Sequence, residues 1–92
     1  MTKGEQMMAD LGYVLINVMF HGRFKFFRKT VLEESPETTK VYEITFDDGQ
    51  LSKDYIEKQP ENNKCFYYPD VCFDYDELLA CAEIVKEIKE NG

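Results

Sequence analysis

Three cysteines and one histidine are the residues of this 92-residue chain best suited to metal or nucleophile chemistry. Their spacing argues against both. Six residues separate Cys65 from Cys72, Cys81 lies further on and His21 is distant. A structural zinc site needs about four ligands at short, familiar spacing. An odd count without a secretory signal reads as reduced thiols, with Cys81 in a core. Asp70, Asp74, Asp76 and Glu77 are acidic neighbours, but a calcium loop needs fixed ligand positions, a central glycine and a terminal glutamate. His21 falls in a turn with no cysteine or carboxylate beside it in sequence. No phosphate-binding glycine loop, Gly-x-Ser-x-Gly, His-Glu-x-x-His or Cys-x-x-Cys occurs. The expectation is a non-enzyme with no metal and no cofactor.

Two other groupings could bind. Arg23, Lys25, Phe27 and Lys29 lie in a basic-aromatic run. On a strand, Lys25, Phe27 and Lys29 share one face, and Phe24, Phe26 and Arg28 share the other. Aromatics beside cations on an open sheet bind single-stranded nucleic acid by stacking and phosphate neutralisation. The plainer reading is an edge strand whose lysines block aggregation. The second grouping is acidic: Glu33, Glu34 and Glu37 in one turn, Asp47 and Asp48 in another, and Asp54 on the strand that follows. A solvated surface is its ordinary meaning. The sharper one is a surface that imitates nucleic-acid phosphate and occupies a basic groove on another protein.

The elements that must position these residues are marked unevenly. Asp74 suits an N-cap, and Glu77 three residues on completes a capping box. Phe73 and Leu78 have the spacing of a hydrophobic staple. Leu78, Cys81, Ala82, Ile84, Val85 and Ile88 then form one apolar face of a C-terminal helix, with Asn91-Gly92 as its stop. Leu79 falls on the charged side and is a candidate contact. Upstream, residues 5–11 make a short helix stopped by Gly12. Residues 13–20 are uncharged, β-branched and aromatic, the mark of a strand covered on at least one face. His21-Gly22-Arg23 turns into a second strand over 24–32, and residues 33–39 form a polar turn. Residues 40–46 alternate, with Val41, Glu43 and Thr45 opposite Tyr42, Ile44 and Phe46. Asp47-Asp48-Gly49 is a hairpin turn. Residues 50–57 are a fourth strand, with Leu51 and Tyr55 on one face. A loop follows over 59–64, and 65–68 make a short fifth strand. The expected class is α+β: an antiparallel meander of four to five strands packed on the C-terminal helix, with a short N-terminal helix.

Composition bounds the rest. Residues 1–92 are one small domain; Met7 and Met8 offer alternative starts, so 1–6 read as a flexible extension. The 43% apolar content and thirteen Phe and Tyr residues argue for a folded chain. No membrane span and no signal peptide are visible, so the expected location is the cytoplasm. The net charge of −7 is unevenly placed. Residues 1–29 carry five basic and two acidic residues; residues 30–92 carry six and sixteen. Such a chain is drawn to basic surfaces rather than to nucleic acid or anionic membrane.

Leu11-Gly12-Tyr13 entering the first strand, Val41-Tyr42-Glu43-Ile44-Thr45-Phe46, and Tyr75-Asp76-Glu77-Leu78-Leu79-Ala80 running on to Ile84 and Ile88 resemble a group of very small proteins. They are encoded by phages and mobile elements of Gram-positive bacteria. In that group a short helix leads into a meander and an acidic-capped helix closes the sheet; here Cys81 stands where its pattern has isoleucine. The resemblance implies an anti-defence inhibitor, of the anti-CRISPR kind, acting in the host cytoplasm. The expected function is therefore a small acidic inhibitor that blocks a basic surface of a host protein through Glu33, Glu34, Glu37, Asp47, Asp48, Asp54 and Leu79. The alternatives are a single-stranded nucleic-acid binder using Arg23, Lys25, Phe27 and Lys29, and an oligomer, such as a homodimer, that encloses a nucleotide signal.

Overall fold

A computed structural model of the chain describes residues 1–34 and 37–91. The order is α1 (Lys3–Asp10), β1 (Val14–Met19), β2 (Phe24–Glu34), β3 (Glu37–Asp47), β4 (Gln50–Gln59), β5 (Lys64–Tyr68) and α2 (Tyr75–Asn91). One 3-10 turn, Phe20–Gly22, joins β1 to β2. The strands form one antiparallel sheet in sequence order, with both helices on one face. The fold is the expected α+β meander. The helix stop at Gly92 and the turn tip at 35–36 lie outside the described residues.

Local chemistry explains the ends of the elements. Asp74 Oδ1 accepts from the Glu77 amide at 2.8 Å, and Glu77 Oε1 accepts from the Asp74 amide at 3.0 Å. That reciprocal pair is the expected capping box. α1 carries a second one: Thr2 Oγ1 accepts from the Glu5 amide at 3.1 Å and Glu5 Oε1 from the Thr2 amide at 3.0 Å. Thr2 is thus the cap of α1, and Lys3–Gln6 form its first turn. Asp48 and Gly49, at φ 49° and 89°, make the tight β3–β4 turn; glycine takes that conformation without steric cost.

The core gathers Met8 of α1, Tyr13, the sheet residues Phe27, Ile44 and Phe46, and Ala80, Cys81, Ile84 and Ile88 of α2. Phe27 and Phe46 meet edge-to-face, 5.7 Å between ring centres. The alternation expected over 40–46 holds, with Tyr42, Ile44 and Phe46 toward the helices. The two helices meet through Gly4. A Cβ there would lie 2.7 Å from Glu87 Oε1 and 2.8 Å from Ile84 Cδ1. In return, Glu87 accepts from the Gly4 amide at 2.8 Å and from Thr2 Oγ1 at 2.7 Å. Its carboxylate sits at the positive end of the α1 dipole.

Three expectations need correction. Residues 33, 34, 37 and 38 are paired in β2 and β3 rather than in a turn; Glu34 stands opposite Glu37. Cross-strand pairing overrides their polar composition. β1 is uncovered: all six of its residues are exposed. It is the outer strand of the sheet, and among the described residues no strand lies beyond it. Leu78 is 49% exposed instead of stapled inward. The inward face of α2 is centred on Glu77, Ala80, Cys81, Ile84 and Ile88.

Candidate binding surfaces

Glu77 is the reason the helix is rotated. Its carboxylate is buried and takes a hydrogen bond from the Tyr13 hydroxyl and an ion pair, 2.5 Å, from Lys53 Nζ. Lys53 also donates to the Cys72 carbonyl at 3.1 Å and lies over the Tyr42 and Phe73 rings. Burial alone would push the Glu77 carboxyl up. The hydrogen bonds from Lys53, Tyr13 and the Asp74 amide outweigh it and hold the carboxyl below its ordinary value. The Tyr13 hydroxyl is pushed well above its ordinary value by burial and by the Glu77 carboxylate. Burial, with Glu77 adding to it, pushes the neighbouring Cys81 thiol up to about 12. This cluster is closed over and internally satisfied, so it fastens α2 to the sheet. The sequence carried a signal for it: Lys53 shares a strand face with Leu51 and Tyr55, which puts a charge on the buried face of β4.

The basic-aromatic strand does not form an open platform. The face shared by Lys25, Phe27 and Lys29 is the one the helices cover, and β2 is the second strand rather than an edge. Phe27 is 1% exposed, Lys25 is buried, and Lys29 Nζ lies 5.7 Å from the centre of the Tyr13 ring. Arg23 precedes the strand, its carbonyl accepting from the Asp48 amide at 3.0 Å. On the open face Arg28 lies over Phe26 and pairs with Glu43 at 3.0 Å.

The acidic candidates do not converge either. Glu33, Glu34 and Glu37 lie at one end of the β2–β3 ladder, and Asp47 and Asp48 at the other. Ten steps of strand separate Glu37 from Asp47, roughly 33 Å at the usual rise. Glu33 pairs with Lys40 at 2.7 Å. Asp54, midway along the sheet, accepts from the Tyr67 hydroxyl at 3.0 Å and the Asp70 amide at 3.2 Å. Leu79 is exposed, as its helical position requires.

Two surfaces emerge, of which the sequence marked only Leu79. The first is the outer face of α2, where Tyr75, Leu78 and Leu79 are 73%, 49% and 45% exposed and Ala82 continues the stripe one turn on. Its spacing is i, i+3, i+4, i+7, a second apolar face on a helix already committed to the core by its first. The second is the β1 edge together with a cleft of about 410 Å³ between α1 and the start of β1, lined by Met8, Ala9, Tyr13, Leu15 and Phe27 among others. Among the described residues no group of three or more His, Cys, Asp or Glu could hold a metal ion. No described helix is long and apolar enough to cross a membrane.

These features define a class: a small α+β domain with outward apolar residues on its C-terminal helix and on both edges of its sheet. Beyond that class no particular relative emerges. No protein-family model, curated protein or solved structure matches the chain.

Proposed function

We propose that the protein is a non-enzymatic binding protein that inhibits another protein by occupying its surface. The observation that carries this reading is the outer stripe of α2. Tyr75, Leu78, Leu79 and Ala82 are held on a helix that Lys53 and Glu77 fix in place. Asp76 and Glu83 border the stripe. An apolar helix stripe with acidic borders fits an apolar groove with a basic rim. The net charge of −7 steers the chain toward such a surface. The resemblance to small mobile-element proteins makes a bacterial defence protein the partner class.

The test is capture from lysate by the tagged chain, set beside L78E/L79E and D76K/E83K variants whose fold is checked by circular dichroism. The expected result is a protein retained by the wild type, lost by both variants, and inhibited only by the wild type when purified. Reversal of Glu33, Glu34, Asp47 and Asp48 to lysine is expected to slow association without abolishing it. Equal capture by wild type and α2 variants would sink the proposal.

A further inference from the structure

We propose that two copies of this chain pair through β1, antiparallel across a two-fold axis, into one continuous ten-stranded sheet. This inference is independent of the α2 reading and rests on three features of β1.

The first is that the edge is open. β1 is the outer strand of the sheet, so its outward N–H and C=O groups have no strand beside them. Natural edges are blunted by charge, proline or cover. Val14–Met19 has none of these: no charge, no proline, and an exposed side chain at every position.

The second is register. In a regular strand, residues three apart point to opposite faces. Leu15 pairs with Phe27 and Val18 with Lys25, so both lie on the helix side of the sheet. Val14, Asn17 and Met19, opposite Arg28, Phe26 and Phe24, lie on the open side. The irregularity between Leu15 and Asn17 makes this so, with Ile16 as the extra residue. Bulges elsewhere turn an edge away from pairing. Here the bulge makes the strand self-complementary. An axis between Ile16 and Asn17 sets Leu15 against Val18 of the second copy on the helix side, and Val14 against its Met19 on the open side. The same register brings Phe20 of the second copy, 68% exposed, alongside Tyr13 at the mouth of the α1–β1 cleft.

The third is charge. Two chains of −7 repel unless they meet where acid is absent. β1 and the part of β2 that pairs with it, Phe24–Arg28, belong to the basic first third of the chain. The opposite edge, β5, is also exposed along its length, but it begins at Lys64, pairs Phe66 with Glu57 and sets Tyr67 on Asp54, so it lies within the acidic part of the sheet. Pairing through β1 sends the two acidic halves to opposite ends of the assembly.

Light scattering and equilibrium sedimentation read the outcome. The expected species is a reversible dimer of twice the 10.8 kDa chain mass. I16K/V18K, which adds an edge guard at two exposed positions, is expected to weaken it at least roughly tenfold. The register is read separately in a C65S/C72S background. A chain carrying L15C, mixed with one carrying V18C, is expected to form the mixed disulfide in preference to either symmetric one. This second arm decides the matter if the lysine variant fails to fold. A monomer at every concentration, an open polymer joining β1 to β5, a dimer indifferent to the lysines, or no preference for the mixed disulfide each overturns the proposal.

Discussion

Glu77 belongs to two structures at once: one oxygen completes the α2 cap while also pairing with Lys53, and the other takes the Tyr13 hydroxyl. Its pKa in the fold lies below the ordinary 4.5. The stabilisation it supplies is therefore full above that value and is lost as pH falls through the folded-state pKa. E77Q removes the charge and leaves the Lys53 ammonium buried without a counter-charge. The expected cost at neutral pH is about 3 kcal/mol by urea unfolding, with a flatter loss of stability below about pH 4.5 than the wild type shows. Cys81 is the other informative residue. With its thiol held near 12 and buried, it is expected to resist a thiol reagent that modifies exposed Cys65 and Cys72 promptly. Titration should count two thiols in the native protein and a third only on unfolding; three prompt thiols would show that the α2–sheet contact opens. The cap at Asp74 and Glu77 was legible in the sequence because its partners are three residues apart. The Lys53 pairing was not, because it joins residues on separate elements.

At the scale of elements, the approach of α1 to α2 depends on the missing side chain of Gly4. G4A gains helix propensity, yet its methyl group meets Glu87 and Ile84 at under 3 Å. The collision should win, with a net loss of about 1–2 kcal/mol and a lower Tm; a gain in Tm would mean the helices separate without cost. Elements fixed by local sequence were readable in advance: the 40–46 alternation, the Asp48-Gly49 turn and the start of α2. β1 was readable as a strand but not as an edge. Absence of charge in Tyr13-Val14-Leu15-Ile16-Asn17-Val18 reads as a covered strand, yet the chain itself leaves Val14–Met19 exposed. The acidic residues at 33, 34 and 37 misled for the opposite reason. Polarity there reflects solvent on a strand end, and the register with β3 keeps the ladder going. On α2, counting only apolar positions rotated the expected face, since the true inward face includes Glu77.

The whole molecule is elongated, 46 × 22 × 20 Å, and its charge is sorted along the sheet, basic toward β1 and β2 and acidic beyond. The length of β3 divides the candidate acidic surface between two ends of the sheet instead of gathering it on one. That division was legible in sequence, where a strand over 40–46 already stood between the two acidic turns. The clasp of Thr2 and Gly4 on Glu87 adds a constraint in time. Its two sides are 85 and 83 residues apart, so translation at about 5–20 residues per second separates them by roughly 4–17 s. Throughout that interval α1 lacks its docking partner, and Met8 and Phe27 lack their cover. The part of the chain first to leave the ribosome is also its cationic part, with the β1 edge within it. The edge proposed to pair is therefore made before the acidic remainder of the chain, whose repulsion the finished dimer holds at its two ends.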